Sequence, residues 1–253
     1  MKGKRKESAP GAPSLTVAGS AATIRFERPA EHNRIDPDDI PVLQRHLERV
    51  AATAGVRVVI FTGSGGKTFS SGFTIDAILD RLDRSFEDLL DAVEQFPLPT
   101  IAALNGGVYG GATDLTLACD IRIGVPATRM FMPAARFGLH YYPGGLRRYV
   151  AALGLAQAKR IFLTGSTLRA EEMLRIGFLT ELVAAARLDA TVGDYVTAIE
   201  ACDPAVVQSM KRQLNAIAAG DRARASSRTE YEASLASAEL KRRLAALTQK
   251  PER

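Results

Sequence analysis

The sequence predicts an α/β core followed by a helical C-terminal region. Three observations carry that expectation. Short Val- and Ile-rich runs alternate with amphipathic helical stretches up to about residue 190. From Gly144 onward nearly every segment has helical periodicity. The length of 253 residues, 46% of them hydrophobic, suffices for one large core.

Each element has its own justification. "SLTVAGSAATIRFERP" predicts a hairpin of two strands. "DDIPVLQRHLERVAATAG" sets Ile40, Leu43, Leu47, Val50 and Ala51 at helical spacing, with Asp38 or Asp39 as cap and Gly55 as stop. "VRVVIFTG" predicts a buried strand. "SFEDLLDAVEQF" predicts a helix with Phe86, Leu89, Leu90, Val93 and Phe96 on one face and Ser85 and Asp88 as a capping box. "PLPTIAALNG" and "DIRIGVP" predict strands on either side of a short helix, "ATDLTLAC". Helices then follow in "GLRRYVAALG", "AQAKRIFLTG", "RAEEMLRIG", "DATVGDYVTAIEAC" and "PAVVQSMKRQLNAIAAG", with a last stretch from about Thr229. The expected division is a disordered basic tail over 1–14, an α/β core over 15–190 and a C-terminal helical region over 191–253.

Charge narrows the partners. Of the net +5, the first fourteen residues hold Lys2, Lys4, Arg5 and Lys6 against Glu7, a net +3, which leaves +2 for the rest. A basic, Pro- and Gly-containing head of that kind is expected to be solvated rather than bound to nucleic acid. No run is apolar long enough to span a bilayer or to act as a secretion signal. Cys119 and Cys202 stand alone, in no metal-like spacing. The expectation is a cytoplasmic protein with no metal.

"FTGSGGKT" looks like a phosphate loop, but the first glycine of that pattern would fall at Phe61, and no helix follows. "VYGGATD" is more informative. A strand ends near Leu104 and a helix begins near Ala112, so Gly111 offers a free N–H at a helix N-terminus without a side chain to block a ligand. One such donor to a developing oxyanion is worth about 10²–10³ in rate. Asp114 then either serves chemistry or simply compensates the helix dipole.

"PTIAALNGGVYGGATDLTLACDIRI", "FMPAARFGLHYYPGGLRRYVAALGLAQAKRIFLTGSTLRAEEMLRIGFLTELV" and the upstream "VRVVIFTGSGGKTFSSGFTIDAIL" together resemble the enoyl-CoA hydratase/isomerase, or crotonase, superfamily over about residues 15–250. The resemblance implies a ββα spiral core, a homotrimer or dimer of trimers built through the C-terminal helices, and an acyl-CoA substrate, with coenzyme A entering as part of the thioester and no separate cofactor. It implies that Phe73 and Gly111 supply the N–H groups of an oxyanion hole. By the same resemblance Ser71, Gly72, Thr74 and Ile75 lie along the CoA, Arg34 reaches a CoA phosphate, and Lys250 approaches the CoA of a neighbouring subunit. Asp76 stands too late for the acidic place of the family's first segment and is given no role.

Asp114 falls where hydratases of that family carry their first catalytic Glu, and Ala134, after Pro133, where they carry the second. Hydration wants two carboxylates on one water. Here one remains, and it is shorter than Glu by one C–C bond, roughly 1.5 Å. His140, Tyr141 and Tyr142 stand nearby, and His is suited to proton transfer near neutrality. Asp114, His140 and Tyr141 are therefore the candidate catalytic residues, unless the aromatics only line the acyl pocket. The expected function is an acyl-CoA enzyme of hydratase/isomerase type. The alternatives are a methylmalonyl-type CoA decarboxylase, with Tyr141 where that branch carries a Tyr, and a non-catalytic acyl-CoA- or RNA-binding relative. His32 and His46 read as structural. Arg147, Arg148, Lys159 and Arg160 read as a basic stripe on a solvated or subunit-contact face.

Overall fold

A computed structural model describes residues 11–248. A hairpin, β1 (Ser14–Ala18) and β2 (Ala21–Phe26), leads to α1 (Ile40–Ala51), β3 (Val58–Gly63) and β4 (Thr68–Ser70). Next come α2 (Ile78–Arg81), α3 (Arg84–Glu94), β5 (Thr100–Leu104), β6 (Gly107–Tyr109) and α4 (Gly111–Ala118). β7 (Ile121–Gly124) and β8 (Arg129–Phe131) precede α5 (Pro143–Thr164), β9 (Leu168–Arg169), α6 (Ala170–Arg175) and β10 (Glu181–Leu182). The chain closes with α7 (Leu188–Ala201), α8 (Pro204–Ala218), α9 (Arg222–Ala225), α10 (Thr229–Ala236) and α11 (Ala238–Thr248).

The strands deal themselves alternately into two sheets. One has the order β1-β2-β3-β5-β7-β10, the other β4-β6-β8-β9. Each of the pairs β3/β4, β5/β6 and β7/β8 gives its first strand to the large sheet and its second to the small one, and then enters a helix. That is three turns of a ββα spiral. All pairings are parallel except β1 with β2 and β8 with β9.

The central strands are buried on both faces, as parallel strands require. Alternation sends Val59, Phe61, Ala102 and Leu104 into the main core, and Val58, Ile60, Ile101, Ala103, Ile123 and Val125 to the opposite face. Leu188 and Val192 of α7 cover that second face. The expected boundary at residue 190 thus cuts through a helix that belongs to the sheet. The tail likewise ends earlier than expected: Ser14 is already in β1, and its hydroxyl donates to Glu27 at 2.7 Å. Residues 1–10 lie outside the described residues.

α1 buries Ile40, Leu43, Leu47 and Val50 as expected. Its acidic cap works differently, because Asp39 turns away from the helix to take Arg28 and the Asp36 N–H (2.8 Å). α3 buries the predicted Phe86, Leu89, Leu90 and Val93, but its cap is Asp83, not Ser85. Asp83 has the extended backbone a cap needs, and its carboxylate accepts from the Ser85 N–H at 2.8 Å. Asp88 pairs with Arg84 instead. The two helices predicted after Gly144 are both present: α5 is two helices joined across a kink at Gly154, where φ is +77° and ψ +157°. Among the described residues, no helix is long and apolar enough to cross a membrane.

Candidate active site

β4, β6 and β8 run parallel, so the residues that leave their carboxyl ends emerge on the same side of the small sheet. Those residues are Ser71–Phe73, Gly110–Gly111 and Met132–Ala134. The sheet brings together segments some twenty to forty residues apart in the chain, and they share one cavity of about 450 Å³.

The first segment is shaped by Asn33. Its side-chain amide donates to the Ser64 and Thr68 carbonyls at 2.9 and 2.7 Å, while its backbone carbonyl accepts from the Ser70 hydroxyl at 2.7 Å. Ile35 then pairs with Phe73 as in a parallel ladder: the Ile35 N–H donates to the Gly72 carbonyl (2.8 Å) and the Thr74 N–H to the Ile35 carbonyl (3.0 Å). In that pattern the flanking peptide groups make the bonds, so the Phe73 N–H turns the other way.

What it turns toward is the second segment. Gly110 has φ +52° and ψ −133°, a conformation for glycine only, and this swings Gly111 onto the N-terminus of α4. A Cβ on Gly111 would lie 3.7 Å from the Phe73 nitrogen and 2.7 Å from the Phe86 ring; one on Gly72 would lie 2.6 Å from the Gly111 nitrogen. Neither position tolerates a side chain. The Phe73 and Gly111 N–H groups are neighbours at the cavity wall, and no described residue accepts from either.

The rest of the cavity is chiefly apolar, formed by Ile75, Ile78, Leu82, Phe86, Phe131, Phe137 and Leu139. Ser71, His140, Tyr141 and Tyr142 line it too, as do His32, Lys67, Tyr109 and Arg129. Ala134, 5% exposed, lines it as well. No Asp or Glu among the described residues lines it. Nor do the described residues contain a group of three His, Cys, Asp or Glu placed to hold a metal.

Asp114 sits behind this wall, fully buried on α4. Arg148 of α5 grips it side-on, Nε to Oδ1 at 2.8 Å and Nη2 to Oδ2 at 2.9 Å, and the Tyr142 hydroxyl donates to Oδ2 at 2.5 Å. The shorter side chain stops at the arginine instead of reaching the cavity. Arg148, 2% exposed, also donates to Asp91 (2.7 Å) and Glu94 (3.2 Å). Of the stripe expected on a solvated or subunit-contact face, Arg148 is corrected, since it is buried; Arg147 remains half-buried and pairs with Glu94. Arg160 does stay at the surface, paired with Glu172.

Tyr141 stacks on Tyr142, with ring centres 4.4 Å apart and hydroxyls 3.1 Å apart. Burial, reinforced by the Asp114 charge, pushes both phenols well above their ordinary ionisation range. Both are O–H donors at neutral pH. Burial lowers the Arg148 guanidinium, but its bonds to Asp114 and the charge there outweigh this and raise it. His140 is exposed, and its Nδ1 lies 2.8 Å from the Tyr141 carbonyl. A carbonyl only accepts, so Nδ1 carries the proton and Nε2 of the neutral ring is a base.

The other predicted residues scatter. Ser71 and Ile75 line the cavity, and Gly72 packs against Gly111. Thr74 instead bonds Ile35 and Asp36. Arg34 is held between Glu31 (2.7 Å) and Asp36 (2.9 Å) and does not line the cavity. Lys250 lies outside the described residues. His32, read as structural, lines the cavity with Nδ1 3.0 Å from the Thr68 hydroxyl. His46 does buttress the chain, at 2.9 Å from the Pro13 carbonyl.

The sequence matches the enoyl-CoA hydratase/isomerase family over residues 16–245. It is 28% identical to a short-chain-enoyl-CoA hydratase of Clostridium acetobutylicum over 208 residues, 79% of this chain and 80% of the relative. It is 27% identical over 206 residues to the (E)-benzylidenesuccinyl-CoA hydratase of Thauera aromatica, covering 79% and 80%. The crystal structure of enoyl-CoA hydratase from Bacillus anthracis superposes with a TM-score of 0.84 at 25% identity, covering 94% of this chain and 96% of that one.

Proposed function

The chain belongs to the enoyl-CoA hydratase/isomerase family, an acyl-CoA-processing enzyme of crotonase fold, and from that premise we propose the chemistry its cavity performs. The thioester oxygen of an acyl-CoA accepts from the Phe73 and Gly111 N–H groups, which stabilise the charge as the thioester becomes an enolate. Two fixed donors, one of them at the N-terminus of α4, need no reorganisation as that charge appears. The proton is then handled without a carboxylate in the cavity. His140 Nε2 removes it from the α-carbon and returns it to the γ-carbon, while the Tyr142 O–H stays committed to Asp114 and the two tyrosine rings form the wall. That is isomerisation of an enoyl-CoA rather than hydration, since a shift of the double bond needs one proton-carrying group where syn addition of water needs two.

The carrying observation is that no described Asp or Glu lines the cavity. The test is α- and γ-proton exchange of 3-hexenoyl-CoA in deuterated buffer, followed by mass spectrometry. Exchange and isomerisation that vanish in His140→Gln support the reading; net hydration of crotonyl-CoA at a comparable rate counts against it.

A second reading draws on the protonated tyrosine pair. A malonyl-type thioester forms the same enolate by losing CO2, needs no base, and then takes a proton from an O–H donor. CO2 release that survives His140→Gln and fails in Tyr141→Phe would select it.

Assembly through the C-terminal helices fits an apolar stripe on α8, where Met210, Leu214 and Ile217 are 59%, 64% and 56% exposed. Light scattering of the purified chain distinguishes a trimer from a monomer.

A further inference from the structure

We propose that Arg148 is a positioning residue for the tyrosine wall of the cavity, acting through Asp114. The inference deepens the functional reading above and rests on it for its kinetic arm only. It starts from a convergence that no short stretch of sequence contains. Asp114 comes from α4, Arg148 from α5, Asp91 and Glu94 from α3, and Tyr142 from the residue that opens α5. Asp114 Oδ2 accepts from both Arg148 Nη2 and the Tyr142 hydroxyl, while Oδ1 accepts from Arg148 Nε. A guanidinium fork gripping both oxygens leaves the carboxylate no rotational freedom. The one acceptor direction left on Oδ2 fixes where the Tyr142 hydroxyl points, and Tyr141 follows it through the stack and the 3.1 Å hydroxyl contact.

Arg148 is itself over-determined, with Asp91 at 2.7 Å and Glu94 at 3.2 Å on Nη1. Gly145, one turn before it on α5, makes the arrangement possible: a Cβ there would lie 2.3 Å from the Tyr141 ring and 2.8 Å from Asp114 Oδ2. The chain from Arg148 through Asp114 and Tyr142 to Tyr141 thus runs from a buried charge cluster to the cavity, and only its last two members touch the cavity.

Removing the guanidinium leaves Asp114 buried with Tyr142 as its one remaining described partner. An uncompensated buried carboxylate takes up a proton instead of staying charged. A protonated Asp114 offers Tyr142 a hydroxyl in place of a charged acceptor, so the phenol is no longer aimed. Misplacement of a reacting group by about 1 Å costs roughly 10²-fold in rate, and that loss is expected in kcat with KM little changed.

The experiment compares the full-length wild type with Arg148→Met, Asp114→Asn and the double variant, by infrared difference spectroscopy and by kinetics. A carboxylic-acid carbonyl band is expected at neutral pH in Arg148→Met and expected to be absent from the wild type and from the double variant. This arm reads Asp114 whether or not the functional proposal holds. In kinetics, Arg148→Met should lower kcat about 10²-fold, and adding it to Asp114→Asn should cost nothing further, since both act on the same hydroxyl. Losses that multiply, or no band in a folded Arg148→Met, overturn the proposal. If that variant does not fold, Arg148→Lys keeps the charge and removes the fork: a fall in kcat at unchanged KM supports the proposal, and full kcat overturns it.

Discussion

Replacing Gly111 by Ala is the sharpest probe of the paired N–H groups. The added Cβ would stand 2.7 Å from Phe86 Cζ and 2.8 Å from Cε1. A relaxed carbon contact needs about 3.5–4.0 Å, so the ring has to withdraw by roughly 1 Å. It has little room: Phe86 is 2% exposed, and its ring meets Phe73 edge-to-face at 5.5 Å. The push is therefore passed to Phe73, the residue that carries the other N–H. Overpacking of this kind costs about 1–3 kcal/mol of stability. The effect on chemistry is larger, because both donors shift relative to the oxygen they serve. We expect α-proton exchange to fall by about 10²-fold, the lower end of the 10²–10³ expected for loss of one donor. The assay is deuterium incorporation into a saturating acyl-CoA, with thermal unfolding measured in parallel. Gly111→Ala combined with Phe86→Leu should recover part of the loss, since the second change makes room for the methyl. A folded Gly111→Ala that exchanges at the wild-type rate would refute the placement of the oxyanion between these two groups.

The remaining expectations concern the wall, the sheet and pH. Tyr142→Phe removes one of the donors to Asp114 and should cost about 1.5–3 kcal/mol in urea unfolding, the range for a bond to a charged group; an unchanged midpoint would show the bond to be idle. Ala134→Glu alone should not yield a hydratase, because Asp114 stays bound to Arg148; a gain in crotonyl-CoA hydration would show that Asp114 is available after all. Leu188→Ala should cost about 2–5 kcal/mol if α7 is part of the sheet packing, and almost nothing if residues beyond 187 are an appendage. Burial raises Tyr141, Tyr142 and Tyr149, so above about pH 10 the unfolded chain loses phenolic protons that the folded one keeps. Stability from these groups is intact below that pH and falls as pH rises beyond it, by up to about 1.4 kcal/mol per unit for each. Tyr149→Phe should flatten the fall in urea midpoint between about pH 9 and pH 11, and parallel slopes would contradict this.

Much was legible in the chain because it depends on near neighbours. Periodicity located α1 and α3, whose apolar stripes are what bury them. The two glycines of "VYGGATD" marked a backbone that has to be bare, and at Gly111 the Phe86 ring is the reason. β4, β6 and β8 were not legible, since strands of three residues show no period, and these are the strands that aim the three cavity segments. Asn33 left one faint trace, as a residue type that tolerates the left-handed region it occupies at φ +53°.

The sequence by itself determined the family, through its resemblance, and the alternation of strands with helices, because these follow from short patterns read in order. Only the tertiary structure decided what Asp114 does. Whether an acid faces substrate or a guanidinium depends on what α3 and α5 bring to it, and those groups lie some twenty to thirty-five residues away along the chain. Arg148 is polar in sequence and buried in space for the same reason: three carboxylates from two other helices converge where it points, and a charge is stable inside a protein only where such partners meet it.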